Sequence, residues 1–369
     1  MGPGGHHRRF TGKVLLGVMA FMLVDLLIFR SGFYFGWTDP NSSLGVLARA
    51  IVNVDHASKT DRNVLVLGDS RIGEGFSAKS ASAVAAATGR GIAFINGGVA
   101  GTTPRVWYYL LRAMLQSGQL PAAVAIMTTS YHDNDSSDLP ARTSDIMFVH
   151  PLLQPRDLVT FPASFPSVDG QIAAARAILL SGYHYKSDLA DLLLHPARRI
   201  ETVRSWRANG FDWVNDYSGH NTSLEGLQLD LPSGRLSIPP QVQDVEPLRL
   251  AAYAAKLRQF SGRPPDDPSS RGYRSLWYGR IGALCRAKGI ALFVFRIPRG
   301  PLHFMAHGDG EATGGLADLR DGGRLRLLPA TQFDDLERPE FFFDELHLNA
   351  AGRVQFSRSL TTAMLNRLP

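Results

Sequence analysis

The run Asn63-Val64-Leu65-Val66-Leu67-Gly68-Asp69-Ser70 decides the fold. Residues 63–67 form a short apolar stretch, rich in β-branched side chains, that stops at a glycine, the pattern of a strand buried inside a parallel sheet. Ser77 is placed to cap a helix that runs through an alanine-rich stretch to Gly89. A second strand, 92–95, ends at Asn96-Gly97-Gly98. Thr103 then stands as N-cap, with Pro104 at the first helical position of a helix ending near Gly118. A third strand, 123–127, opens into a polar loop. Strands alternating with single helices predict right-handed crossovers and an α/β fold whose parallel sheet is covered on both faces.

Between about 133 and 270 this alternation is lost. Amphipathic helical pieces over 171–206 give way to a Gly/Pro/Asp-rich segment reaching Pro240, and the whole stretch reads as a mixed insertion on the sheet. The α/β pattern resumes with a helix at 273–288, a strong strand at 290–297, a short strand at 324–328 and a last helix at 349–367. No period of 20 to 50 residues repeats, which excludes solenoids and propellers.

The chain has 369 residues, 44% hydrophobic and 20% charged, so it is neither disordered, collagen-like nor a multi-span membrane protein. Its net charge of +6 comes from scattered basic residues, not from a stripe interleaved with aromatics, and no nucleic-acid partner is expected. The single cysteine, Cys285, excludes an internal disulfide and a zinc site built from several thiolates. Two groups, His303/His307/Asp309 and His132/Asp133/Asp135, have metal-like spacing. The glycines after His307 disfavour the helix that would gather the first group, and no metal is expected. With neither a Walker A loop nor a G-x-G-x-x-G turn, no nucleotide cofactor is expected either.

At the N-terminus, His6, His7, Arg8, Arg9 and Lys13 precede an apolar run, 14–29, whose one charged residue is Asp25. As a helix it measures about 24 Å, short of a hydrocarbon core of roughly 30 Å. The run can continue through Phe33, Tyr34, Phe35 and Trp37 with Arg30 snorkelling, so residues 14–37 are expected to form one transmembrane span. Positive charge before the span puts residues 1–13 in the cytoplasm and the chain from Thr38 onward outside, in the periplasm or extracellular space. No small-x-small cleavage site follows Phe29, which favours an uncleaved anchor in the cell membrane over a signal peptide. Asp25 either pairs with a partner helix or hydrates near the outer interface. Residues 38–61 read as a linker and 62–369 as the outward-facing domain.

In an open parallel sheet the loops at the carboxyl ends of the strands gather into one crevice. Four are informative: Gly68-Asp69-Ser70-Arg71, the stretch from Asn96 to Thr102, the stretch from Thr128 to Asp135, and the stretch from Phe343 to Gly352. A serine hydroxyl needs an imidazole to become a nucleophile, and the imidazole needs a carboxylate to fix its tautomer. Ser70, His347 and Asp344 supply these three chemistries, and an Asp and a His three apart in one loop can both serve the same serine. A glycine-rich turn brings backbone N–H groups close to an oxyanion, and the amides of Gly101 and Ser70 are the candidates. Arg296 and Arg299, at the end of the strong strand, either bind an anionic substrate or pin their own loop. Ile72 stands where a G-x-S-x-G elbow needs glycine, which excludes the α/β-hydrolase nucleophile turn.

Gly68-Asp69-Ser70, the stretch from Asn96 to Gly101, and Asp344-x-x-His347 before the terminal helix resemble blocks one, two and five of the SGNH (GDSL-type) hydrolase superfamily. The resemblance runs from Asn63 to the C-terminus and leaves 133–270 uncovered. It implies a flavodoxin-like three-layer sandwich and acyl-ester chemistry with Ser70, His347 and Asp344 as triad. The family's third block normally gives an asparagine side chain to the oxyanion hole; here the third strand is followed by Thr-Thr-Ser-Tyr, so Ser130 or Asn134 takes that place, or the donor is missing. One lost oxyanion donor costs about 100 to 1,000-fold in rate. With its anchor the chain also resembles membrane-tethered SGNH proteins of alginate acetylation and teichoic acid D-alanylation. That implies a serine esterase or O-acyltransferase acting on acyl, chiefly acetyl, esters of an envelope polysaccharide beside a multi-span membrane O-acyltransferase. The alternative is a catalytically silent scaffold that binds glycan or recruits that acyltransferase.

Overall fold

The computed structural model describes residues 13, 16–57, 62–118, 120–133, 135, 137–209, 217–230, 233, 235–240, 249–252, 254, 255, 268–302 and 312–368. The chain divides into two compact units, one comprising residues 1–49 and 141–208 and the other residues 50–140 and 209–369.

The second unit holds the sheet. Five strands, β1 (Asn63–Gly68), β2 (Ala93–Gly98), β3 (Ala123–Thr128), β6 (Ala291–Arg296) and β7 (Arg326–Leu327), stand in the order β2-β1-β3-β6-β7, with every pairing parallel. A separate antiparallel ribbon pairs β4 (Gln228–Asp230) with β5 (Arg235–Ser237). The interior strands read as unbroken apolar runs because both faces are covered: every residue of β1 and β3 is buried. From β1 the chain moves one way to β2, then crosses back to β3 and on to β6 and β7. Right-handed crossovers therefore put the helix Ala78–Ala87 on one face, and Pro104–Gln116 and Pro268–Ala287 on the other. Helix–helix packing agrees: the C-terminal helix Ala350–Leu365 lies on Ala78–Ala87, while Pro268–Ala287 packs on Pro104–Gln116 and Gly314–Asp321. The direction reverses between β1 and β3, so the crevice at their carboxyl ends is where an α/β sheet of this order offers a site.

The α/β reading holds, with differences at the element ends. Ser77 caps as expected, its Oγ accepting from Ser80 N, and Asn349 caps the last helix by accepting from Gly352 N. Thr103 precedes its helix without capping it through its side chain; its Oγ1 instead accepts from the Tyr273 hydroxyl at 2.9 Å. The second strand begins one residue later than expected and continues through Asn96-Gly97-Gly98. A short helix, Ser70–Gly75, stands where the sequence suggested a loop. Residues 43–57 of the expected linker form the helix Ser43–Ala57.

The first unit is helical, and it takes residues 141–208 of the stretch expected as one insertion. A helix runs through residues 16–24 and continues as a π-helical turn, Asp25–Arg30. The continuous span 14–37 is corrected: residues 31–33 turn, with Gly32 at φ +80°, and a separate 3-10 helix follows at Tyr34–Trp37. The chain leaves the helix because the Ser31 hydroxyl bonds back to Leu27 O and Gly32 adopts a left-handed conformation that continues no helix. Among the described residues no helix is long and apolar enough to cross a membrane. The basic cluster His6, His7, Arg8 and Arg9 lies outside the described residues.

Asp25 neither hydrates nor stays open for a partner helix. It is 1% exposed and accepts from Arg30 Nε at 2.6 Å and from Gly182 N. The five-residue spacing of this ion pair matches the wider π-helical turn that carries it. Arg30 also donates to Ile178 O and Leu179 O, and Phe29 packs with Tyr34 and Tyr185. The apolar helix is thus fastened by its last turn to the helices Val168–Leu179 and Ser181–His184.

Candidate active site

β1 ends at Gly68, Asp69 caps the helix Ser70–Gly75, and Ser70 is its first residue. The Asp69 carboxylate accepts from Arg71 N and from the Arg71 guanidinium, which ties the side chain beside the serine into its own turn. Two features press this helix against the end of β2. Gly98 allows the approach, since a Cβ there would lie 2.2 Å from Gly73 N. Asn96 then clamps it: its Nδ2 is within 3.0 Å of Ile72 O, 3.1 Å of Gly73 O and 2.7 Å of Phe76 O, and its Oδ1 accepts from Gly98 N. These carbonyls lie at the end of the helix, where Ile72 O also takes Phe76 N and Phe76 O also takes Arg353, and Asn96 adds a donor to each. Asn96 was legible as part of a strand-end loop, but its clamping role was not.

The late loop is as tightly built. Phe343 N donates to His347 O, closing a turn over residues 343–347, and residues 342 and 348 form an isolated antiparallel bridge. Within the turn, Asp344 Oδ1 accepts from Leu346 N and His347 N, which leaves Oδ2 for the ring: His347 Nδ1 lies 2.8 Å from it. The other ring nitrogen, Nε2, lies 2.8 Å from Ser70 Oγ. Ser70, His347 and Asp344 are therefore brought together in the order hydroxyl, imidazole, carboxylate.

The electrostatics suit proton transfer. Burial works to raise the Asp344 carboxyl, but the His347 ring and the two backbone donors hold it below the usual carboxylate range. Burial also works against a charged imidazole; Asp344, helped by Glu74 and Asp69, overrides it and holds His347 above the ordinary range. Glu74 was not anticipated, although it stands four residues beyond Ser70 on the same helix and so shares its face. Phe343 was also missed. Its ring stacks on His347 with centroids 5.7 Å apart, and His220 in turn lies 3.9 Å from Phe343. A hydroxyl, a basic imidazole and an anchored carboxylate in this order can deprotonate the serine as it attacks a carbonyl.

Ser70 N–H has no acceptor among the described residues, as suits the first turn of a helix. Gly101 sits in the turn after β2 at φ +68°, a conformation that favours glycine. Ser130 is engaged within its own loop: its N–H donates to Asp135 Oδ2, its Oγ accepts from His132 N, and its carbonyl accepts from Thr128 and Arg274. Asn134 lies outside the described residues, as do His303, His307 and Asp309. The remaining metal-spaced residues have other partners. His132 Nδ1 lies 2.8 Å from Thr313 Oγ1, Asp133 accepts from Gly315 N, and Asp135 takes donors from Thr128, Thr129, Ser137 and Arg274.

Arg296 and Arg299 pin a loop. Arg296, 3% exposed, donates to Ala330 O and pairs with Glu337 and Asp334, while Arg299 grips both oxygens of Glu337. Their guanidinium groups are committed to the chain, so the substrate-binding role expected for them gives way to the loop-pinning one.

No protein-family model matches the chain, and no curated protein matches it either.

Proposed function

We propose that the protein is a serine esterase or O-acyltransferase of the SGNH type, working through an acyl-Ser70 intermediate. The observation that carries this reading is the pair of 2.8 Å contacts joining Ser70 Oγ to His347 Nε2 and His347 Nδ1 to Asp344 Oδ2. The parallel strand order, with the serine at the reversal point beside β1, is that of flavodoxin-like sheets and supports the same reading.

In the proposed cycle, Ser70 Oγ attacks the acyl carbonyl carbon while His347 Nε2 takes its proton. The Ser70 and Gly101 amides receive the oxyanion. The tetrahedral species collapses, the C–O bond to the leaving alcohol breaks, and His347 returns the proton to that alcohol. Water or a sugar hydroxyl, deprotonated by the same ring, then attacks the acyl carbon; the bond to Ser70 Oγ breaks and His347 returns the proton to the serine. Asp344 orients the ring throughout and stabilises its charged form. The substrate class is an acyl ester, chiefly acetyl, of an envelope polysaccharide. The apolar helix ending at Arg30, with the basic residues before it, anchors the chain at the cell membrane and faces the domain outward, beside a multi-span O-acyltransferase.

A silent scaffold that binds glycan is the second reading, and the position of Ser130 favours it: a third oxyanion donor is expected after β3, and Ser130 is held in the Asp135 network. Hydrolysis of p-nitrophenyl acetate separates the two. The enzyme reading predicts turnover that Ser70→Ala abolishes; no turnover, or turnover indifferent to Ser70→Ala, speaks for the scaffold.

A further inference from the structure

The exposed large apolar side chains are distributed unevenly. Among the described residues, all but Leu120, Leu139 and Leu346 belong to the helical unit, many of them on the helix through residues 16–30. Soluble surfaces rarely gather apolar side chains this way without a partner.

The internal contacts of this unit fix the level at which further apolar residues stand. Arg30 donates to Leu179 O at 2.7 Å, so Leu179 is level with the end of the apolar helix. Asp25, five residues earlier and about 7 Å down the helix axis, accepts from Gly182 N. The helix Ser181–His184 therefore lies beside the last turn and a half of the apolar helix. Leu189 and Leu192 of the next helix, Lys186–Leu194, pack on the Phe29/Tyr34/Tyr185 cluster, while its final residues Leu193 and Leu194 are 70% and 75% exposed.

Charge of the matching kind stands at the same place. The exposed Tyr183 ring carries two cations, Arg176 with its guanidinium carbon 4.4 Å from the centroid and Lys186 with its Nζ at 4.5 Å. Neither cation has a carboxylate partner among the described residues, and Arg176 Nε is buried without a hydrogen-bond acceptor. An amphipathic aromatic ring flanked by open cations and exposed leucines, level with the end of an apolar helix, has the composition of a surface that sits at phospholipid headgroups.

We infer that the helical unit is a collar that binds an anionic phospholipid surface, with Arg176 and Lys186 meeting headgroup phosphates around Tyr183 and with Leu179, Leu193 and Leu194 entering the acyl boundary. The inference rests on the proposed anchoring of the apolar helix. It adds that the membrane also holds residues far along the chain.

The test uses the full chain carrying an environment-sensitive fluorophore at Leu179→Cys or Leu194→Cys. Cys285, 1% exposed, stays unlabelled. Vesicles contain phosphatidylethanolamine with phosphatidylglycerol, or phosphatidylcholine alone, and flotation is read on the same samples. The expected result is co-flotation, with both probes blue-shifted and quenched by nitroxide lipids in the phosphatidylglycerol vesicles. Arg176→Glu/Lys186→Glu should weaken that response by about tenfold or more while flotation persists. A chain that floats with both probes in water overturns the collar and leaves the anchor standing. A chain that does not float overturns both. Equal quenching in phosphatidylcholine alone overturns the assignment to anionic headgroups.

Discussion

Ser70 and His347 are 277 positions apart in the chain, yet the serine oxygen and the ring Nε2 stand 2.8 Å from each other. Neither residue reaches the other by local structure. The first is delivered by a short helix pressed on the end of β2, the second by a turn whose hydrogen bonds are nearly all internal, and the sheet holds the two loops in one crevice.

Asn96 is the keystone of the early loop. Asn96→Asp places a carboxylate against the carbonyls of Ile72, Gly73 and Phe76 in place of an amide donor. The expected cost is about 2–3 kcal/mol in urea denaturation, with loss of esterase activity beyond what the unfolded fraction explains. Asn96→Asp with wild-type stability would show that the clamp is not holding the helix.

Activity against pH should follow the imidazole. His347 serves as base when neutral, and its folded pKa lies above the ordinary imidazole range, so kcat/KM should rise to a plateau later than an unperturbed histidine would give. Asp344→Asn removes the chief cause and should move the acid limb downward while cutting the plateau. The same shifts link to stability: the His347 contribution is full below its unfolded pKa and fades as pH rises through the folded value. The Asp344 contribution is full above its unfolded pKa and fades as pH falls through its folded value.

The helical unit should be acid-sensitive. Burial pushes His150 down to about 3, helped by neighbouring His184, whose ring centroid is 5.5 Å away. The unfolded chain therefore binds a proton that the folded unit refuses, and stability falls as pH drops from the ordinary imidazole range toward 3, by roughly 1.4 kcal/mol per pH unit for this one group. Hydrogen exchange over residues 141–208 should quicken across that range, and His150→Phe should flatten the dependence. Exchange indifferent to pH, after correction for the intrinsic rate, would contradict it.

Just beyond the end of β3, Arg274 pairs with Asp135 at 2.7 Å and with Asp138, all three side chains fully buried. Arg274→Met strands two carboxylates and should cost about 3–5 kcal/mol, read as a lowered urea midpoint with an unchanged slope. Burial and the nearby Asp135 push Asp138 up to about 7, so the loss should shrink in mild acid, where protonation relieves the stranded pair.

The sequence announces what is local. β1, β3 and β6 stand out because strands covered on both faces are apolar without interruption, and Ser77 and Asn349 announce their helices because a cap needs only its own next turn. The triad was legible for the same reason: strand ends gather in one crevice, so Ser70, Asp344 and His347 stand out in the sequence by their place after strands and before the last helix. What was missed depends on distant partners. Tyr273 draws Thr103 away from capping; Gly182 and Arg30 hold an Asp25 that was expected to meet another helix or water; Glu337 decides between the two roles left open for Arg296 and Arg299. The division of the long insertion between two units was hidden as well, because helical periodicity reports which face is apolar and not which body it covers.

The most direct measurement is mass spectrometry of the protein after incubation with a fluorophosphonate. The account predicts one adduct, on the peptide carrying Ser70, absent in Ser70→Ala and slowed strongly in His347→Ala. Undiminished labelling of Ser70→Ala, or a folded wild-type chain that takes no label, would contradict it.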